Sequence, residues 1–266
     1  MINLPKRCVL AALAAVLTLS PLWADVLDRV KSKGVLTVGV VVDPPFGIKN
    51  KNGSLSGYDV DFAIAIAKKL GVKPQILELD SEERLAALNG NKIDILTAFT
   101  KTAEREKQVN FSYGYFVTGQ KFVAKVGKIK TLDDVKPLAV GAIRDTTSEK
   151  LIKKELPNTT VISFADMDDA FTFLRQGKVD AITHDEPILA GKLALLQGKQ
   201  QYEISPIALS TKAYGLAVVK SEKRLVGVIN ETLLELEASG EAARIFERWF
   251  GDKSTAPLMR IFKIQG

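Results

Sequence analysis

Along the chain, runs of β-branched and apolar residues alternate with stretches in which apolar residues recur every three or four positions. The first kind predicts buried strands and the second amphipathic helices; their regular alternation predicts an α/β fold with mostly parallel strands. "GVLTVGVVV" (34–42) reads as the first strand. "GYDVDFAIAIAKKLG" (57–71) reads as a helix, with Val60, Ala63, Ile64, Ala67 and Leu70 on one face and Gly71 placed to end it. "KPQILEL" (73–79) and "KIDILTAF" (92–99) are the next strands, separated by a short helix opened by Asp80 with Glu83 three residues on, a capping-box spacing.

Beyond residue 126 the pattern starts afresh. Strands are expected at "PLAVGAI" (137–143), "TVISF" (160–164), "KVDAITHD" (178–185) and "AYGLAVVK" (213–220). Helices are expected over 146–156, where Thr146 and Glu149 form a second capping-box spacing, and over 166–177 and 186–197. Residues 224–251 read as a long helix, a break at Ser239-Gly240 and a shorter helix. "LNGNKIDILTAF" (88–99) and "LRQGKVDAITHD" (174–185) echo each other, which suggests two similar α/β lobes, although helix-to-strand turns often look alike.

The first residues change the picture of where the protein works. Lys6 and Arg7, the apolar run "CVLAALAAVLTL", the break at Ser20-Pro21 and then "LWAD" have the layout of a secretory signal peptide over 1–24, cleaved after Ala24. The apolar run is too short to span a bilayer, so the expected mature protein is soluble and exported. Its single cysteine, Cys8, would leave with the leader. Losing Lys6 and Arg7 lowers the formal charge of +6 by two, to +4. Basic and acidic residues are interspersed, which argues for a solvated surface and against nucleic-acid binding. One histidine and no mature cysteine leave no transition-metal ligand set, and no cofactor is expected.

Candidate chemistry follows from the parallel strands, because ligands sit beyond the carboxyl ends of such strands. After "KIDIL" come Ala98, Phe99 and Thr100, and Thr102 can cap a turn in which Arg105 folds back over the Thr100 loop. Hydroxyls, free N–H groups at a helix start and a guanidinium fork suit a carboxylate; the competing reading is a capped helix with a surface arginine. After "PLAVGAI", Thr146 and Thr147 stand at another helix start. Capping accounts for Thr146 and leaves Thr147 open. After "KVDAI", Asp185 either faces an ammonium group or caps the helix that begins near Glu186-Pro187. His184 reads as a lining or packing residue, since no nucleophile accompanies it. Anion-binding groups in one half and an acid in the other share one natural partner, the zwitterion of an α-amino acid.

At these residues the chain resembles the periplasmic polar-amino-acid-binding proteins of ABC importers, extracellular solute-binding family 3. The motifs that carry the resemblance are "PPFGIKNKNGSLSGYDVDFAIAIAKKLG", with its G-[FY]-[DE]-V-D signature, "AFTKTAEREKQVNFSYGYF", "TTSEKL" and "HDEPIL". It implies two lobes, 25–118 with 213–266 and 119–212, each a mixed, mostly parallel sheet flanked by helices, with the ligand cleft between them. It implies crossover strands near Val117–Phe122 and Ser210–Tyr214, a periplasmic location, an inner-membrane permease as partner and a monomeric form. By the same resemblance Arg105 clamps the ligand α-carboxylate with Thr100, the backbone of Ala98 and Thr147, Asp185 takes the ammonium, and Phe46 walls the pocket. Arg84 matches an arginine that pairs with the side-chain carboxylate in aspartate/glutamate-binding relatives, but the surrounding "EERLAAL" lacks their Asn and Pro. The alternative is a surface arginine paired with Glu82 or Glu83, with glutamine or another polar amino acid as ligand and His184 or Arg144 at its side chain. Ala98, Gly114 and Asp145 stand where Gly or Ser, Pro and Gly are usual. Cyclohexadienyl dehydratases resemble the same family and use a glutamate near the strand-end Asp; Ile188 stands there here, with Glu186 close by.

Overall fold

The computed structural model describes residues 25–266; the predicted leader and its cleavage site lie outside the described residues. The chain forms α1 (Val26–Lys33), β1 (Val35–Val40), short strands β2 (Ile48–Lys49) and β3 (Leu55–Ser56), α2 (Tyr58–Leu70), β4 (Lys73–Glu78), α3 (Arg84–Asn89), β5 (Ile95–Thr100) and α4 (Ala103–Glu106). The long β6 (Val109–Lys125) follows, then β7 (Ala139–Ile143), α5 (Thr147–Glu155), β8 (Thr160–Phe164), α6 (Met167–Arg175), β9 (Ala181–Asp185) and α7 (Glu186–Leu195). Strands β10 (Tyr202–Ile204) and β11 (Ser210–Val219) and helices α8 (Lys223–Ala238) and α9 (Glu241–Phe250) complete it.

The main sheet runs β4-β1-β5-β11-β6-β9-β7-β8, with β10 added on β6. Two parallel groups, β4-β1-β5 and β9-β7-β8, stand at its ends. Between them β6 and β11 pair antiparallel from Ser210↔Gln120 to Val219↔Val109. The architecture is therefore two α/β lobes, each a mixed sheet flanked by helices, joined through the same pair of long strands. The echo between the halves has a shared structural meaning. Asp94 donates its N–H to Thr37 O (2.8 Å) and its carboxylate accepts from Thr37 N (2.8 Å). Asp180 does the same with Ala139, at 2.7 and 2.9 Å. In each half one aspartate locks a helix-to-strand turn onto the neighbouring parallel strand.

Three local expectations differ from the structure. Ile64 is 47% exposed, and the inward face of α2 is made instead by Val60, Phe62, Ala63, Ile66 and Ala67. Asp80 caps no helix: α3 starts at Arg84 with Glu83 in the cap position and no side-chain cap bond, and Asp80 contributes only its carbonyl to a turn. Helix α1, which the pattern does not flag, forms because Asp25 caps it (3.0 Å to Asp28 N), Gly34 ends it at φ 66° and Val26, Leu27 and Val30 bury its inner face. Gly71 ends α2 as expected, at φ 71°. The tail after Gly251 packs back on the first lobe, with Ile264 buried and Arg260 paired with Glu237.

Candidate functional site

The carboxyl ends of the parallel strands of both lobes face one another across a cavity. All nine residues singled out from the sequence line it: Phe46, Arg84, Ala98, Thr100 and Arg105 from one side, Thr146, Thr147, His184 and Asp185 from the other. Asp43, Ser81, Ile188 and Tyr214 line it with them. The lobes touch across the cleft through Thr147 Oγ1, which donates to Thr100 Oγ1 at 3.2 Å, and through the ion pairs Arg144–Glu82 (2.8 Å) and Lys150–Glu104 (3.2 Å).

On the first-lobe side, Thr102 caps α4 by accepting from Arg105 N at 3.2 Å. That one-turn helix turns the Arg105 side chain back, so that Nη1 donates to Thr100 O at 3.2 Å and the guanidinium lies 3.7 Å from the centroid of the Phe99 ring. Arg84, at the start of α3, donates Nε to Ser81 O (3.0 Å) and stands 5.4 Å from the same ring. Phe99, which the sequence reading passed over, is thus a common platform for two guanidiniums. Both are buried, and among the described residues neither has a carboxylate within 4.0 Å. Burial, then the like charge of Arg84, press the Arg105 pKa down to about 9, which leaves it cationic at neutral pH. The surface alternative for Arg84 is not what forms: Glu82 pairs with Arg144, and Glu83 stands 3.9 Å from Lys92. That pairing also keeps Arg144 out of the cavity lining.

Two of the expected polar groups already have partners within the protein. Ala98 adopts φ 44° and lines the cavity, and its N–H donates to Tyr115 Oη at 2.8 Å. The Thr146 hydroxyl is spent in its own loop, accepting from Glu149 N (3.2 Å) and donating to Ile143 O (2.7 Å). Thr147, by contrast, directs its hydroxyl to the cleft. Asp145 takes φ 59°, the left-handed conformation a glycine would adopt there, and donates its N–H to Glu149.

On the opposite side Asp185 occupies the cap position of α7 without making a side-chain cap bond. Its Oδ2 accepts from the Tyr214 hydroxyl, and Lys212 Nζ lies 3.2 Å from Oδ1, where the approach is not aligned as a hydrogen bond and Oδ1 keeps no donor. Burial pushes the carboxyl pKa up, but Lys212, His184 and the Tyr214 hydroxyl outweigh it and hold the group below the usual range. Lys212 also donates to Thr147 Oγ1 (3.1 Å) and Ser148 Oγ (2.9 Å). His184 accepts at Nδ1 from Asp185 N (2.8 Å), so its ring proton sits on Nε2, and burial lowers its pKa. Phe46 floors the cavity from within an aromatic cluster, with ring centroids 4.9 Å from Phe116 and 5.4 Å from Tyr214. Ile188 lines the cavity, while Glu186 is drawn aside to Lys121 at 2.8 Å. The cavity therefore offers a two-guanidinium pole and a carboxylate pole, with no nucleophile–base pair among the described lining residues.

Residues 36–252 match the bacterial extracellular solute-binding proteins, family 3. A glutamine-binding protein of an ABC transporter from Bacillus subtilis (strain 168) is 34% identical, covering 85% of this chain and 84% of its own. The glutamate/aspartate import solute-binding protein of Escherichia coli (strain K12) is 30% identical over 90% of this chain and 84% of its own. Among solved structures, a mutant of the T. maritima protein ArgBP superposes with a TM-score of 0.77 at 35% identity, covering 84% of this chain and 98% of that one. With its two lobes, the cleft between them and this match over most of its length, the chain belongs to the bacterial extracellular solute-binding proteins, family 3, a family of binding proteins rather than enzymes.

Proposed function

We propose that the protein binds an L-amino acid with an acidic side chain, glutamate or aspartate, and delivers it to the inner-membrane permease of an ABC importer. One observation carries the reading: two buried guanidiniums, Arg84 and Arg105, share the Phe99 platform without a carboxylate partner, while Asp185 already has Lys212 beside it. Buried charge requires a counter-charge. Arg105, Thr100 and Thr147 take the α-carboxylate, Arg84 takes the side-chain carboxylate, and Asp185 Oδ1 takes the ammonium. The lobes divide at 118/119 and 212/213 and close about β6 and β11, and the leader 1–24 directs the chain to the periplasm, where it acts as a monomer.

A second reading, glutamine, is favoured by Asp43, which lines the same cavity and whose charge acts on Arg84. A carboxylate and a guanidinium together suit a side-chain amide. Calorimetric titration of the parent and of Arg84→Ala with glutamate, aspartate and glutamine separates the two. The acidic reading expects tighter binding of an acid than of glutamine, and an Arg84→Ala loss confined mainly to the acids. It fails if glutamine binds the parent more tightly than either acid, or if the substitution leaves acid affinity unchanged.

A further inference from the structure

The signature segment "GYDVD" contributes no residue to the cavity lining, yet it buries a carboxylate. Asp59, in the first turn of α2, is 1% exposed, faces no cation within 4.0 Å among the described residues and leaves Oδ2 without a partner. Its Oδ1 accepts from Tyr115 Oη–H at 2.6 Å, and the same Tyr115 oxygen accepts from Ala98 N–H at 2.8 Å. Tyr115 is fully buried on β6.

We propose that Asp59 is a positioning residue for the binding site, acting through Tyr115 to hold Ala98 in the conformation that presents Phe99 and Thr100. A hydroxyl has one proton, and where that proton goes decides where its lone pairs point. With the proton committed to Asp59 Oδ1, the Tyr115 oxygen turns a lone pair to Ala98 N–H. Ala98 sits at φ 44°, a region an alanine occupies only when its surroundings over-determine it. The next residue, Phe99, lies beneath both arginines, and the next again, Thr100, accepts from Arg105 through its carbonyl and from Thr147 through its hydroxyl. Releasing the Ala98 amide therefore misplaces the arginine platform and the hydroxyl that meets the other lobe. The buried acid is thus two hydrogen bonds from the site loop.

The inference rests on the cleft taking an amino acid, so its test has one arm without ligand. Tyr115→Phe removes the acceptor, Asp59→Ala removes the oxygen that fixes the Tyr115 proton, and Asp59→Asn keeps an oxygen for that hydroxyl. In ligand-free protein, hydrogen exchange at the Ala98 amide is expected to speed up about tenfold in Tyr115→Phe and severalfold in Asp59→Ala relative to neighbouring β5 amides, and to stay near the parent rate in Asp59→Asn. With ligand, the tightest binder among glutamate, aspartate and glutamine is expected to lose about tenfold in affinity with Tyr115→Phe and less than about threefold with Asp59→Asn. The proposal is overturned if Tyr115→Phe or Asp59→Ala leaves Ala98 exchange unchanged, if exchange rises equally throughout the lobe, or if Asp59→Asn loses as much affinity as Tyr115→Phe. Should the parent bind none of the three amino acids, the functional reading fails while the exchange arm still decides the relay.

Discussion

Replacing Asp59 by Asn is expected to stabilise the protein at alkaline pH, and the size of the gain follows from the burial of this carboxyl. Desolvation raises its pKa from 3.8 to about 7, against the lowering effect of the Tyr115 hydrogen bond. The folded state thus holds a proton that the unfolded state releases above pH 4. Where the folded state binds more protons, stability falls as pH rises. The contribution is fully present below pH 3.8, declines through the interval and levels off above pH 7. At about 1.4 kcal/mol per pKa unit, the ionised form costs roughly 4 kcal/mol at pH 8, of which about 3 kcal/mol accrues between pH 5 and pH 8. Asn carries no titrating proton, so the difference between variant and parent isolates this group while all other titrations cancel. Urea unfolding at half-unit steps from pH 4.5 to 8.5 is the assay. The variant is expected to gain on the parent steadily up to pH 7 and then run parallel, with a midpoint advantage of about 8–16 °C in thermal scans at pH 8. Parallel profiles over the whole range, or a variant less stable than the parent at pH 8, would refute the reasoning.

Asp185→Asn is expected to cost roughly 2–5 kcal/mol of ligand affinity with the fold retained, since it removes the counter-charge of a desolvated ammonium; calorimetry and circular dichroism read the two together. Arg105→Lys keeps the charge but loses the planar fork over Phe99, and at least about tenfold in affinity is expected to go with it. Gly191 lies on α7 where an added Cβ would stand 2.2 Å from the Pro44 carbonyl oxygen of the other lobe. Gly191→Ala is therefore expected to hold the lobes apart, lowering affinity about tenfold or more and enlarging the liganded radius of gyration in X-ray scattering, with little change in ligand-free unfolding.

Most elements could be read because their signals are local: Gly71 at a helix end, Thr146 before Glu149, β-branched runs ahead of polar loops. The misreading of α2 shows where local signals stop. Two overlapping apolar stripes fit that helix, and only the sheet and α8 packed against it decide that Phe62 and Ile66 turn inward and Ile64 outward. The site residues behind parallel strands were within reach for a topological reason, since those strand ends must converge. Lys212 and Tyr214 were not, because they come from β11, an antiparallel strand whose passage beside Asp185 depends on how the lobes are joined. Phe99 looked like core, and only the fold-back of two arginines from separate helices makes it a platform. Asp59 carried no chemical reading because its partner, Tyr115, is 56 residues away.

The order in which the sheet is filled has a consequence for a chain that is made from its N-terminus. Strand β11 stands between β5 and β6, and α8 and α9 close over α1, α2 and the loop before α2: Lys69 meets Glu231 and Glu235, Arg248 and Trp249 meet Asp61, Arg224 meets Asp25 and Asp28, and Phe250 joins Phe46. Until those late residues arrive, β5 is a bare edge and the side of α2 that meets α8 and α9 lies open, a state exposed to mispairing. The other half, β7 to β9 with α5 to α7, is contiguous and can assemble first. A growing chain would thus carry a finished lobe in its middle and an unfinished one at its start, and its earliest residues would be among the last to find their places.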